Sequence, residues 1–302
     1  MPKNHNHENQ AACTNGGKPF PFRIAAPSWL HPGPVSENCA WIADNLAHTV
    51  DEVALMFLET ESCLAYSREE LLPPWLQAPS LPADELPETG SAFTDDELAA
   101  LTAAEADEDS VPKPDLSFHV HLPLDLPWDQ GFNTAWRKIE ALIQKAEPMH
   151  PRRYVLHPPP QGVSLRMLAG QFAAAGVKPR RVLLENIQGC DLSEIWPEVL
   201  DSGFGACVDL GHILLYSQFP MLALPGLGER VDMLHLSAPD PFRPGRHLPL
   251  SHLDDNGRLL LRSMLDALTP GATVVLEVFD ADGFQESLET LWELVPPKDS
   301  RS

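Results

Sequence analysis

Eight residues able to bind a metal recur at one kind of place in this sequence, where an apolar run gives way to a loop signal. His121 lies near the end of LSFHVHLP, His157 ends YVLHPP and Glu185 ends VLLEN. Asp209 ends ACVDLGH with His212 one turn beyond, His235 is in MLHLS, His247 is in GRHLPLSH and Glu277 ends VVLEVF. A lone His or Asp after a strand is usually a satisfied polar residue. The recurrence is the signal, because packing alone would not put His, Asp or Glu at the same place in six strands. Gathering five imidazoles and three carboxylates costs desolvation and like-charge repulsion. Two divalent ions, about +4 in formal charge against about −3 from the carboxylates, remove that cost. Mixed nitrogen and oxygen donors suit zinc, manganese, iron or cobalt and do not suit calcium.

The chemistry implied is metal-assisted. Paired ions can clamp a phosphoryl group and activate water as a nucleophile. The same arrangement can promote proton or hydride shifts in sugars, and spacing alone does not separate the two. His119 shares a strand face with His121 and is a candidate substrate contact or supporting residue. Glu59, at the end of the second apolar run, is a candidate outer ligand or substrate contact. Arg246 is a candidate phosphate contact. No Ser-His-Asp triad, GxGxxG or P-loop pattern appears in a convincing context.

Something must hold these residues at one end of the molecule. Apolar or β-branched runs occur at FRIAAPSWL, DEVALMFLE, DLSFHVHLPL, RRYVLHPP, RRVLLEN, FGACVDLGH, RVDMLHLSAP and ATVVLEVFD, eight in all. Several are apolar at consecutive positions, as parallel strands buried on both faces are. Helical patterns such as SENCAWIADNLAHTV, NTAWRKIEALIQKA, SLRMLAGQFAAAGVKP, LSEIWPEVLDSG, GRLLLRSMLDAL and SLETLWELV separate most of them. Strands alternating with helices predict a parallel sheet, and eight units predict closure into a single (β/α)8 barrel of the TIM type. In such a barrel all the strand ends named above share the C-terminal face, where active sites are built.

A span of 302 residues accommodates one barrel over 19–297, with 1–18 as a polar, disordered tail lacking a signal-peptide core. Residues 60–115 form an acidic, proline-rich insert between the second and third strands, where Thr94 and Glu97 make a capping box that starts a helix. From Glu59 to Asp115 there are fifteen acidic residues against two basic ones. The net charge of −22 argues against nucleic acid as a partner, since phosphate binding needs clustered Lys and Arg. Five cysteines, Cys13, Cys39, Cys63, Cys190 and Cys207, show no CxxC spacing and fit a reducing cytoplasm. No apolar stretch is long enough for a membrane span.

The ligand run His157-Pro158, Leu184-Glu185-Asn186, Cys207-Val208-Asp209 with His212, His235-Leu236 and Leu276-Glu277 resembles endonuclease IV, within the xylose isomerase-like superfamily that also holds sugar isomerases and epimerases. The similarity covers most of residues 20–295. The phrases HVHLPLDLPWD, LLENI, CVDLGHILLYS, RHLPLSHLD and LEVFDADGFQESL are similar to the cobamide-remodelling phosphodiesterases. Those enzymes hydrolyse the phosphodiester in the nucleotide loop of corrinoids related to vitamin B12, releasing cobinamide and an α-ribazole-type phosphate. The resemblance implies the same reaction on a small-molecule corrinoid. It also implies an inner metal cluster of His121, His157, Glu185, Asp209, His235 and Glu277, with Glu185 as the bridge. The carboxylates Glu185, Asp209 and Glu277 are then the candidate catalytic residues. His212 and His247 would hold a third ion or contact the phosphate. The endonuclease IV pattern has an acidic residue two positions before His247, where this chain has Gly245. The competing readings are an endonuclease for abasic DNA, a sugar or sugar-phosphate isomerase, and a non-catalytic corrinoid or metal carrier.

Overall fold

The structure is a computed structural model that describes residues 20–77 and 114–295. The tail, most of the acidic insert and its capping box at Thr94 lie outside the described residues. Eight parallel strands close into a barrel: β1 Arg23–Pro27, β2 Glu52–Met56, β3 Ser117–His121, β4 Tyr154–Leu156, β5 Val182–Glu185, β6 Gly205–Asp209, β7 Val231–Leu236 and β10 Thr273–Leu276. Each pairs with the next, and β10 pairs with β1. They coincide with the eight apolar runs. The first two strands end earlier than their runs, at Pro27 and Met56, so Trp29 and Glu59 lie in loops.

Alternation along each strand separates two cores. Outward residues such as Ile24, Val53, Val120, Leu156, Leu184, Val208 and Leu276 pack under the helices. Inward residues fill the barrel with a layer of Ala25, Ala54, Val155, Leu183, Cys207, Met233 and Val275. Two residues further along each strand, the same inward side carries Pro27, Met56, His121, His157, Glu185, Asp209, His235 and Glu277. Six of these eight are ligand types, all on the contiguous arc from β3 round to β10. The two adjoining strands, β1 and β2, contribute only Pro27 and Met56.

The helices fall on the predicted amphipathic segments, including Val35–Leu46, Phe132–Ala146, Leu165–Ala174, Trp196–Ser202, Asp255–Asp266 and Ala281–Leu294. Gly176, at φ 79°, takes the left-handed turn that stops the helix of SLRMLAGQFAAAG at its C-terminus. Two features were not expected. A helix at Leu210–Tyr216 starts directly from β6, capped by the Asp209 carboxylate. A short antiparallel pair, β8 Ala238–Pro239 and β9 His247–Leu248, folds over the barrel mouth and carries His247. The described start of the insert is helical, at Thr60–Ala65 and Arg68–Leu71, with a capping box between Ser67 and Glu70. Asp125, in the loop after β3, accepts the Thr60 N–H at 2.7 Å and so ties the insert to the mouth. Cys39, Cys63, Cys190 and Cys207 are free thiols, and among the described residues no helix is long and apolar enough to cross a membrane.

Candidate metal centre

The six strand-end residues converge. Glu185 is fully enclosed, and both of its oxygens are engaged on different sides. Its Oε2 lies 3.1 Å from His121 Nε2 and 3.2 Å from His157 Nε2. Its Oε1 lies 2.8 Å from His235 Nδ1, which is also 3.4 Å from Glu277 Oε1. Among the described residues, donor atoms close enough to share one ion form four overlapping groups: His121–His157–Glu185, His121–His235–Glu277, Glu185–Cys207–His235 and Glu185–Asp209–His235–Glu277. Glu185 belongs to three of them, so it would be the ligand shared between ions bound there.

Neighbours set the orientation of these ligands. His121 Nδ1–H donates to the Leu122 carbonyl at 3.0 Å, leaving the Nε2 lone pair facing the cluster. Likewise His212 Nδ1–H donates to the Asn186 carbonyl at 2.7 Å. Asn186 is a residue that pattern reading did not assign a role. Its Oδ1 accepts the Asp209 N–H at 2.7 Å, and its Nδ2 donates to the Asp209 carbonyl at 3.1 Å and to Gln218 Oε1 at 2.8 Å. This clamp ties the end of β5 to the end of β6. Only the Leu-Glu-Asn run hinted at it. Ser237, at 3.1 Å from His247 Nδ1, is a second such partner. Cys207 is also within reach of Glu185 and His235, and burial pushes its thiol up to about 12.

The donor set fits divalent cations. Asp209 Oδ2 and His235 Nε2 are buried and have no hydrogen-bond partner, a state that costs about 1–3 kcal/mol per group unless something else satisfies it. The charges are also unevenly settled. Burial alone would raise Glu185, but the His235 charge and the bonds from His121, His157 and His235 outweigh it and hold the carboxyl well below its ordinary range. Burial pushes Asp209 up to about 6, with the Glu277 and Glu185 charges adding to the rise against His212 and His235. Protons therefore compete with cations at Asp209, and only its ionised form ligates. Zinc affinity measured by titration calorimetry should fall continuously as pH falls from 8 to 5, because Asp209 and the histidine ligands must all give up protons. Against the effect of burial, His235 has its proton held well above the ordinary imidazole range by the neighbouring Cys207, Glu277 and Glu185. An affinity unchanged between pH 7.5 and 5 would overturn this ligand set.

His212 and His247 sit at the periphery. His212 Nδ1 is 3.9 Å from Asp209 Oδ1, and His247 Nδ1 is 3.3 Å from Glu277 Oε2. Neither joins a tight donor group among the described residues. Three other expected contacts fall elsewhere. His119 faces the barrel interior as expected, but one layer down. Its Nδ1 is 2.8 Å from Glu52 Oε1 and its ring is fully enclosed, the placement of a supporting residue under the floor of the site. Glu59 is exposed at the start of Thr60–Ala65, where it accepts the Ser62 hydroxyl at 2.9 Å. Arg246 is exposed on the loop between β8 and β9, with Nη1 3.6 Å from Asp240 Oδ2.

No protein-family model matches this chain, and no curated protein matches it. Solved structures do. Endonuclease IV from Thermus thermophilus is 16% identical with a TM-score of 0.56, over 90% of this chain and 98% of that one. The IOLI protein with a bound zinc atom is 13% identical with a TM-score of 0.55, over 90% and 98%. A D-tagatose 3-epimerase-like protein is 15% identical with a TM-score of 0.54, over 90% and 96%. The fold is that of the xylose isomerase-like (β/α)8 barrels. In this barrel the ligand-type residues occupy the C-terminal face, as the strand-end pattern requires.

Proposed function

We propose that this protein is a metal-dependent phosphodiesterase that cleaves the nucleotide loop of corrinoids, giving cobinamide and an α-ribazole-type phosphate. The observation that carries the reading is Glu185, a buried carboxylate shared by three of the four donor groups and ringed by imidazoles and two further carboxylates. Such a centre suits two divalent ions, drawn from zinc, manganese, iron or cobalt. When bound, they would polarise a phosphoryl oxygen and acidify a water. The similarity of HVHLPLDLPWD, CVDLGHILLYS and RHLPLSHLD to the corrinoid phosphodiesterases supports the substrate. The net charge of −22 disfavours a polyanionic one such as DNA.

The chain's own residues then have separable tasks. Glu185, Asp209 and Glu277 supply negative charge at the centre. The Asn186 clamp keeps Asp209 in register with Glu185. His212 and His247, beside Asp209 and Glu277, would contact phosphoryl oxygens at the rim, His212 as the imidazolium because its Nδ1–H is already given to the Asn186 carbonyl. Water adds to phosphorus, the P–O bond on the corrin side breaks, and the proton passes to the released cobinamide hydroxyl. The phosphate stays on the ribazole.

Sugar isomerisation or epimerisation is the second reading, and the likeness to a D-tagatose 3-epimerase-like protein favours its being tested. Purified protein loaded separately with zinc, manganese, iron and cobalt should convert adenosylcobalamin or pseudocobalamin to a cobinamide species, resolved by chromatography. Absence of cobinamide with all four metals would sink the phosphodiesterase reading. A sugar-isomerisation screen and an abasic-site DNA nicking assay then decide between the alternatives.

A further inference from the structure

Beside the metal ligands, the barrel mouth has an apolar side. The two strands that give no ligand end in Pro27 and Met56, and Leu58 and Phe279 pack onto the inner core above them. Trp29, two residues past Pro27, is 42% exposed, a large apolar side chain at the mouth of a charged site. Its ring lies 6.4 Å from that of Phe279 at an interplanar angle of 71°, forming a corner of two aromatic faces. Phe279 in turn lies 5.3 Å from the His247 ring, and His247 Nδ1 is 3.3 Å from Glu277 Oε2. The corner is thus continuous with the metal centre.

Trp29 and Phe279 wall a cavity of about 390 Å³ that continues along His31 and Gly33. This lies within the roughly 300–1,000 Å³ of small-molecule pockets. The rim is already rigid. Asn38, fully enclosed, accepts the His31 N–H at 2.9 Å and donates to the carbonyls of His31 at 2.9 Å, Pro34 at 3.2 Å and Gly33 at 3.4 Å. His31 also stacks on Trp41, with centroids 6.4 Å apart.

We infer that the Trp29–Phe279 corner is a subsite for the planar heteroaromatic base attached to the phosphodiester. The inference deepens the phosphodiesterase reading and rests on it for the position of the phosphate. Perpendicular aromatic walls receive a flat ring face-on against one and edge-on against the other. Every base presents such a face, so the contact tolerates different bases. The acidic surroundings favour a neutral ring there over a second phosphate.

The test needs no turnover. Full-length protein is titrated calorimetrically with benzimidazole riboside and, separately, with ribose. The riboside should bind and ribose should not. Trp29→Ala should weaken riboside binding about tenfold, within the range of base–aromatic stacking, and Trp29→Phe should restore most of it. No riboside binding by the wild type, equal binding of ribose, or unchanged affinity in Trp29→Ala would each overturn the subsite. Corrinoid turnover reports on the other reading. A protein that binds riboside through Trp29 but makes no cobinamide keeps the subsite and loses the reaction. One that makes cobinamide with riboside affinity indifferent to Trp29 does the reverse.

Discussion

Replacing Glu185 by Gln is expected to empty the metal centre and to lower phosphodiester turnover by on the order of a hundredfold or more. The expectation follows from the sharing of this one side chain among three of the four donor groups. An amide offers only one oxygen where the carboxylate offers two. It also removes the negative charge that faces His235 across 2.8 Å, leaving a buried imidazole beside the remaining Glu277. Metal content is read by elemental analysis and turnover by cobinamide release. The carboxamide is nearly isosteric, so the barrel should fold, and circular dichroism checks that it does. Full metal occupancy with normal turnover in this variant would remove Glu185 from the site.

The second large effect lies below the centre and concerns folding. Glu52 is fully enclosed, yet it is surrounded by donors: His119 Nδ1 at 2.8 Å, Thr273 Oγ1 at 3.1 Å and Arg23 Nε at 3.3 Å. Arg23 also donates to Ser117 Oγ at 2.6 Å and to the Asp51 carbonyl at 2.9 Å. Burial alone would raise the Glu52 pKa. The bond and field of His119, with the charges of Arg23 and Arg153, offset this and hold it at about 2. A folded-state value below the unfolded one, near roughly 4.3, means the contribution is complete above that unfolded value. It is lost as pH falls through about 2. Glu52→Ala strands Arg23 and His119 and should cost about 3–5 kcal/mol at neutral pH. For a chain of this size that is a fall in melting temperature of roughly 5–8 °C. Glu52→Gln, which keeps an acceptor, should lose less. A melting temperature within about a degree of wild type for the alanine variant would show that this network does not support the fold.

These two residues show where pattern reading succeeds and where it stops. The convergence of the ligand-type residues at positions 121, 157, 185, 209, 235 and 277 was legible because a strand turns every second residue inward and each run ends at the same face. The eight barrel strands were legible for the related reason that doubly buried strands are continuously apolar. His119 was read onto the inward face with two roles open, and its level in the barrel matches the supporting one. A step of two residues lowers a side chain by about 6.6 Å, enough to move it from the mouth to the interior. Its partner Glu52 comes from a neighbouring strand, and only the barrel register brings the two together. The Asn186 clamp, the helix springing from Asp209 and the hairpin that carries His247 depend on loop geometry with no period to read. The same holds for the Trp29–Phe279 corner, whose members stand at opposite ends of the chain. Glu59 looked like a strand end because its run stays apolar through Leu58, yet the ladder stops at Met56.

The arc of ligand strands bears on the order of assembly. β3, β4, β5, β6, β7 and β10 are contiguous neighbours in the sheet, and their six ligands are complete before β1 and β2 are counted. The first two strands of the chain are therefore a keystone: they finish the circle without adding to the centre. A chain permuted to begin at β3 would translate every inner ligand first and the closing pair last. In that order the six ligand-type strand ends come together in one contiguous stretch of chain, and only the two strands that close the circle remain to be added.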